Sequence, residues 1–532
     1  ELCNPLKKKL TTILLALVLL CALCACSLAS ELNVSVVSPQ DENVLHLALT
    51  EDILSPDVQV AGCDEIASNI YNRLLRLEEN PDASASIAGD LAESYELSYD
   101  GRVYTFHLRE NVSFHNGESF EADDVLYTID RMLRPDTGAL PNEAATYIYG
   151  AYDVMYGEAE SVEGSGVIVI DKYTVKIILR EPWLPFLASL CTPAWSIYNR
   201  DAKAAGAYSI GTGPYIFDEW VAGDYIFLRV NDNYFAERAQ TDGVLYRIVP
   251  SPEAQLAMFI AGELDIVKVD GNEALINSYL GDSETKDYVI AEKKLNTYFY
   301  AMNQNLAPFN DVEVRLGLQK ALDRRSILAE AFSSQGLLLN GILPSGIQGY
   351  DRSMSRIKLD REAAMELFAK AGYSEGFKLT ICQNGIDPKE NLINSMVAEQ
   401  LSACSINVSI KDMKPADFYA AKTGGSLPMH LCHISIDLNE PYLIIGKVFG
   451  LNENVRYSLN IADDELLGRI EAAKNIADPA ERAGEYAKIE TLLVSDDAAV
   501  IPLFQVYSYV LLNPRVDNYG AAGDCVASFS LK

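Results

Sequence analysis

The sequence predicts an α/β protein made of more than one lobe, closely joined. Three observations carry that expectation. Helical and strand patterns alternate from Val44 to Leu512, and neither an internal repeat nor a low-complexity linker interrupts them. The chain has 532 residues, 49% of them hydrophobic and 22% charged, enough to bury a core far larger than one small module. Its 75 Asp+Glu against 43 Lys+Arg give a net charge of −32. That balance argues against a nucleic-acid partner, since phosphate binding needs clustered positive charge. Most of the carboxylates read as solvated surface.

The first element is a leader. Lys7, Lys8 and Lys9 precede an apolar run from Leu10 to Cys26, broken only by Thr11 and Thr12. A positive segment before an apolar one, slightly short of the ~20 residues of a membrane span, reads as a signal peptide. The run closes with Leu23-Cys24-Ala25-Cys26, which resembles the lipobox of bacterial lipoproteins. In that family the last Cys receives a diacylglycerol and becomes the new N-terminus. Cys26 fits that role better than Cys24, because Ala25 before it is small and Leu23 is bulky. Residues 1–25 are therefore expected to be a leader, and 26–43, polar and without period, a tether from a lipid anchor. Cys63, Cys191, Cys382, Cys404, Cys432 and Cys525 follow without short spacings, which reads as single thiols and no metal framework.

Val44–Leu49 is then a first strand, and the spacing of Ile66, Ile70, Leu74 and Leu77 predicts a helix over 66–77. Tyr104–Leu108 alternates as a strand before the turn Asn116-Gly117, and a helix runs from about Ala122 to Met132. Val167–Ile170 and Thr174–Leu179 flank Asp171-Lys172-Tyr173 as a hairpin, and Tyr215–Trp220 and Tyr225–Val230 flank Gly223-Asp224 as another. Helices are predicted at 253–261, 312–322, 325–332 and 361–370, the last stopped by Gly372. Asp478-Pro479-Ala480-Glu481 opens a helix to about Leu493, followed by a strand from Val500 to Leu512.

Enzyme motifs are missing. There is no Gly-x-Ser-x-Gly elbow and no His-Glu-x-x-His, and Gly211-Thr212-Gly213 lacks the third glycine of a phosphate loop. His430-Leu431-Cys432-His433 contains metal-ligating types, but it reads as a strand, where residues three apart point to opposite faces. One buried and one cleft-facing histidine is the expectation, with no metal and no cofactor.

Several stretches together resemble the extracellular solute-binding proteins of ABC importers, family 5. They are Leu91-Ala92-Glu93-Ser94-Tyr95 with Tyr104-Thr105-Phe106-His107-Leu108-Arg109, then Phe114-His115-Asn116-Gly117-Glu118 and Ala122-Asp123-Asp124-Val125. Gly211-Thr212-Gly213-Pro214-Tyr215, Gly262-Glu263-Leu264-Asp265-Ile266 and Ala307-Pro308-Phe309-Asn310-Asp311-Val312 follow in order, with Ala321-Leu322-Asp323-Arg324 and Ile501-Pro502-Leu503 beyond. The resemblance implies a two-lobed periplasmic-binding-protein fold of class II type with an extra subdomain inserted in the first lobe. Mapped onto this chain, the first lobe would be 44–75, 200–295 and 500–532, the insert 76–199 and the second lobe 296–499.

Within the family the chain looks most similar to oligopeptide-binding proteins. Ile436-Asp437-Leu438-Asn439-Glu440-Pro441 resembles their Ala-Asp-Tyr-Asn-Glu-Pro stretch, whose aspartate pairs with the peptide α-amino group. The resemblance thus implies Asp437 as the amine's partner, with the strand before it bonding an extended peptide. His433 and Ser435 share a strand face with Asp437, and Phe299, Tyr300 and Phe504 are further candidates for the cleft walls, beside Tyr298. Where oligopeptide receptors often carry an Arg and a Trp, this chain has Leu431 and Ile434, which leaves the hold on the ligand's C-terminus open.

The implied protein is a lipid-anchored extracytoplasmic receptor, monomeric and not an enzyme. It would capture oligopeptides by hinge closure and deliver them to permease subunits with their ATPases. A dipeptide, a sugar oligomer or a metal chelate is the alternative ligand; an anchored peptide chaperone or hydrolase is the alternative class.

Overall fold

The computed structural model describes residues 43–61, 63–79, 85–140, 142–201, 209–436, 439–476, 478–520 and 525–532. Val44–Lys532 forms one compact unit. Of the separate unit Glu1–Asn43 only Asn43 is described, so the leader, Cys26 and the tether lie outside the described residues. Among the described residues no helix is long and apolar enough to cross a membrane.

In chain order the strands are β1 (Val44–Leu49), β2 (Leu75–Glu79), β3 (Ala85–Gly89), β4 (Ala92–Leu97), β5 (Val103–Leu108), β6 (Val167–Asp171) and β7 (Thr174–Ile178). Next come β8 (Tyr215–Val221), β9 (Tyr225–Val230), β10 (Gly243–Ile248), β11 (Ile266–Lys268), β12 (Val289–Lys293), β13 (Leu295–Met302) and β14 (Gly336–Leu338). The last are β15 (Phe377–Gln383), β16 (Ile406–Asp412), β17 (Met429–Ile436), β18 (Val500–Leu512), β19 (Val516–Asp517) and β20 (Ser530–Leu531).

They form three main sheets. The first is β1-β10-β9-β8, with β1 parallel to β10 and Val44 opposite Gly243. Its β8–β9 hairpin turns at Gly223, whose φ of 75° needs no Cβ to accommodate. The second, β4-β5-β7-β6, is antiparallel and covered by the helix Ala122–Leu133. Tyr104, Phe106, Val125, Ile129, Val175 and Ile177 are buried between them, the alternation of β5 setting which of its residues face in. The third sheet has eight strands in the order β11-β18-β13-β17-β15-β16, and β12 and β14 also pair with β18. β15 and β16 run parallel around the helix Pro388–Ser402, a crossover of the kind parallel strands require.

The helix expected over 66–77 is instead a helix at Asp64–Ile70 followed by an extended turn and β2. Tyr71 is already extended (φ −122°, ψ 155°), and Gly213 N–H donates to the Ile70 carbonyl at 3.0 Å. A Cβ on Gly213 would stand 2.5 Å from the Ile70 carbonyl carbon, so Gly211-Thr212-Gly213 serves as a close-approach seam at this helix end. His115 fits the same seam: its Nδ1 accepts Gly211 N–H at 3.3 Å and its Nε2 lies 3.1 Å from the Gly213 carbonyl. Burial pushes this imidazole down to about 4, so it stays neutral. Cys191, Cys382, Cys404 and Cys432 are buried thiols.

Candidate functional site

β17 is the element on which the expected site residues converge. All eight of its residues pair with β13, from Leu295↔Ile436 to Met302↔Met429. On its other edge β15 meets it only at Ile381↔Met429. From His430 to Ile436, therefore, one edge of β17 carries no strand among the described residues. His433 and Ser435 are the exposed residues on this stretch, where an unpaired edge can take an added strand.

The pleat divides the side chains. Cys432 is buried on one face, and Ile434 and Ile436 pack beside it against the large core that also holds Phe299, Phe449 and Tyr442. On the opposite face Met429 and Leu431 enter a second core, while His433 and Ser435 emerge to solvent. His433 lies flat on Tyr298, its cross-strand partner, with ring centroids 4.1 Å apart and planes 9° from parallel. Tyr298 in turn packs on Phe332 and Phe504 at 5.5 and 5.3 Å. Lys389 Nζ stands 4.6 Å from the Phe332 ring and forms an ion pair with Glu273. Desolvation lowers the His433 pKa, partly opposed by the Asp387 carboxylate, and favours the neutral ring.

His430 is 1% exposed, with Nε2 3.3 Å from Cys432 Sγ and no partner for Nδ1. Burial pushes His430 down to about 3 and the Cys432 thiol up to about 12, so both are uncharged. His430 and His433 face opposite sides of the strand. Among the described residues no group of three or more His, Cys, Asp or Glu could hold a metal ion.

Asp437 and Leu438 lie outside the described residues. The turn after them is tightly held. Asn439 Oδ1 accepts Gln348 N–H at 2.7 Å, and Glu440 Oε1 accepts Tyr442 N–H at 3.1 Å at the start of the helix Tyr442–Phe449. Phe299, Tyr300 and Phe504 are each fully buried and offer a ligand no surface in this structure. Phe299 faces Phe449, Tyr300 donates its hydroxyl to Asn394 Oδ1 at 2.6 Å, and Phe504 lies beneath Tyr298. Strand alternation correctly separates Phe299 from Tyr300, but sequence does not reveal that both faces of β13 are covered.

A cavity of about 740 Å³ opens elsewhere, at the carboxyl end of β1 and between it, β11 and the far end of β18. Such a crevice beyond a strand's carboxyl end, where the chain passes from one sheet to another, is a common ligand position in α/β proteins. Ile266, Val267 and Val510 give it apolar lining; Glu51, Asp52, Asp64, Glu65 and Asp270 give it five carboxylates against one Lys268. Asp52 accepts Trp220 Nε1–H at 3.0 Å and Gly223 N–H at 2.7 Å, and Asp270 accepts Ser508 Oγ–H at 2.6 Å. Those donors are uncharged. Sequence reading missed this site because its lining comes from five distant segments between Leu47 and Phe529.

Residues 86–453 match the family model described as bacterial extracellular solute-binding proteins, family 5 middle. Heme-binding protein A of Haemophilus influenzae is 28% identical over 491 residues, 87% of each chain. Di/tripeptide-binding protein 1 of Pseudomonas aeruginosa is 25% identical over 484 residues, 86% of this chain and 87% of the relative. Among solved structures, the periplasmic murein tripeptide binding protein MppA in its unliganded open form superposes with a TM-score of 0.83 at 20% identity, covering 92% of this chain and 97% of that one. The shared architecture is the two-lobed α/β fold of periplasmic binding proteins.

Proposed function

The chain belongs to the bacterial extracellular solute-binding proteins of family 5, substrate-binding receptors of ABC importers, and from that premise we propose that its ligand is a peptide. The peptide lies extended along the outer edge of β17 with its α-amino group paired to Asp437. The observation that supports this reading is the half-paired strand: His430–Ile436 has β13 on one edge, no strand among the described residues on the other, and leads in sequence directly to Asp437. Bonding through the main chain ignores side-chain identity, which suits a receptor for varied peptides. An ammonium leaving water needs a carboxylate partner, and a charge-assisted hydrogen bond contributes about 1.5–3 kcal/mol. The relative named as a di/tripeptide-binding protein agrees with a peptide ligand.

In the same reading His433 and Ser435 line the binding face, while the acidic cavity beside β1 favours a positively charged part of the ligand. We take the lobes to be 44–75 with 200–295 and 500–532, the insert 76–199, and 296–499, with the Val500–Val506 stretch of β18 paired to β13 and β14 of the second lobe. The sheet β1-β10-β9-β8 lies within the first set and β4-β5-β7-β6 within the insert, which supports the division. Family 5 binding proteins are extracytoplasmic; here a diacylglycerol on Cys26 would hold a monomer at the membrane, where it meets its permease.

The relative named as a heme-binding protein favours a second reading, a receptor of the same class for haem. Mass spectrometry of the ligand that co-purifies with the folded protein tests the two. A mixture of short peptides supports the peptide reading; a single porphyrin overturns it in favour of the second.

A further inference from the structure

Two strand passages join the halves of the eight-stranded sheet. One is β18, whose stretch Val500–Val506 pairs with β13 and β14 and whose stretch Tyr507–Leu512 pairs with β11 and β12. The other is the step from β12 to β13 through Lys294. Between them the ladder is interrupted: the last pair of β12 is Lys293↔Tyr507, and the first of β13 with β18 is Tyr298↔Phe504. Backbone polar groups buried in such a gap need other partners.

Two side-chain amides supply them. Asn296, 4% exposed, accepts Val506 N–H on Oδ1 at 2.9 Å and donates from Nδ2 to the Val506 carbonyl at 2.9 Å. Gln505, fully buried, donates from Nε2 to the Lys294 carbonyl at 2.8 Å. Gln505 also reaches out of the gap: its Oε1 accepts Ser345 N–H at 3.0 Å and its Nε2 lies 3.2 Å from the Ser345 carbonyl. Three residues further, Gln348 N–H donates to Asn439 Oδ1, two residues beyond Asp437. Glu490 fixes the start of this segment, its Oε1 accepting Ile342 and Leu343 N–H at 2.6 and 2.7 Å. A connected path thus runs from Lys294 through Gln505 and the segment 345–348 to the turn that follows Asp437.

We propose that Asn296 and Gln505 form a hinge clasp, and that Gln505 is a positioning residue coupling the angle between the lobes to the ligand-bearing turn. The proposal rests on the receptor reading above. A ladder bond fixes two backbones together, whereas an amide on a side chain can pivot about its own torsions and keep its partners while the strands rotate. Gln505 acts on affinity by biasing the lobe angle, and it does so without touching the ligand.

Gln505→Met keeps the side-chain volume and removes the amide; Gln505→Glu keeps the oxygen that Ser345 N–H needs. Small-angle scattering on the ligand-stripped full chain, a thermal melt and a trialanine titration read the outcome. The clasp predicts a shifted radius of gyration for Gln505→Met before any ligand is added. It also predicts a trialanine affinity changed by about 2- to 30-fold, with Gln505→Glu intermediate. A lowered melting temperature with unchanged radius and affinity would overturn the proposal and leave Gln505 a packing residue. A shifted radius in a protein that binds no trialanine supports the clasp and counts against the peptide ligand alone. Asn296→Asp, which keeps the acceptor for Val506 N–H and loses the donor, gives a second reading should Gln505→Met not fold.

Discussion

His433 and Tyr298 are stacked face to face across two neighbouring strands, centroids 4.1 Å apart, at the point where β17 leaves the core for solvent. The contact gives an exposed imidazole a fixed orientation beside the strand's open edge. His433→Ala should lose about 0.5–1.5 kcal/mol of stability, the usual contribution of an aromatic pair, and His433→Phe should retain most of it. The His433 pKa is lowered below its ordinary 6.5, so the unfolded chain takes up the proton first and stability falls as pH drops below 6.5. Urea unfolding at pH 7.5 and 5.5 checks this: the gap between wild type and His433→Phe should move against the wild type at the lower pH.

Glu490 titrates in the opposite sense. It is 1% exposed, and burial, outweighing the Leu343 and Ile342 amides, pushes it up to about 7 from 4.5. The folded protein therefore binds this proton more tightly than the unfolded chain, and stability is lost as pH rises from 4.5 through 7. Glu490→Gln, which can still accept both amides, should be the more stable form above pH 7, by up to about 3 kcal/mol. The advantage should vanish by pH 4.5; thermal melts across that range measure it. Gly341→Ala should destabilise at every pH, because a Cβ there would overlap the Glu490 carboxylate.

The role proposed for the cavity beside β1 implies a charge preference. With five carboxylates against one lysine, tripeptides carrying Lys should bind more tightly than those carrying Glu, and the difference should shrink in high salt. Glu51→Gln should narrow it as well. Competition titrations at low and high ionic strength decide the matter; equal affinities for Lys and Glu peptides would remove the cavity from ligand selection.

The legibility of the sequence differed from element to element. β18 matches its expected span, Val500–Leu512, because a long apolar run buried on both faces leaves a continuous signal. The spacing of 66–77 misled, since Leu74 and Leu75 are buried by a different sheet from the one covering Ile66 and Ile70, and helical spacing across the join was accidental. Gly211-Thr212-Gly213 and Phe114-His115-Asn116-Gly117 were legible as motifs, but not as two halves of one seam. Their meeting spans about a hundred residues and leaves no local pattern. At the site, alternation on β17 placed His430 and His433 on opposite faces. The burial of Phe299, Tyr300 and Phe504 and the acidic cavity depend on chain segments far apart, which one sequence does not bring together.

The central claim is that the free amine of a peptide is held by Asp437. Isothermal titration of a tripeptide and its N-acetylated counterpart, against wild type and Asp437→Asn, tests it most directly. The account predicts strong binding of the free-amine peptide to wild type, a large loss on acetylation, and a loss in Asp437→Asn confined to the free-amine form. Equal affinities for the free and acetylated peptides would contradict it.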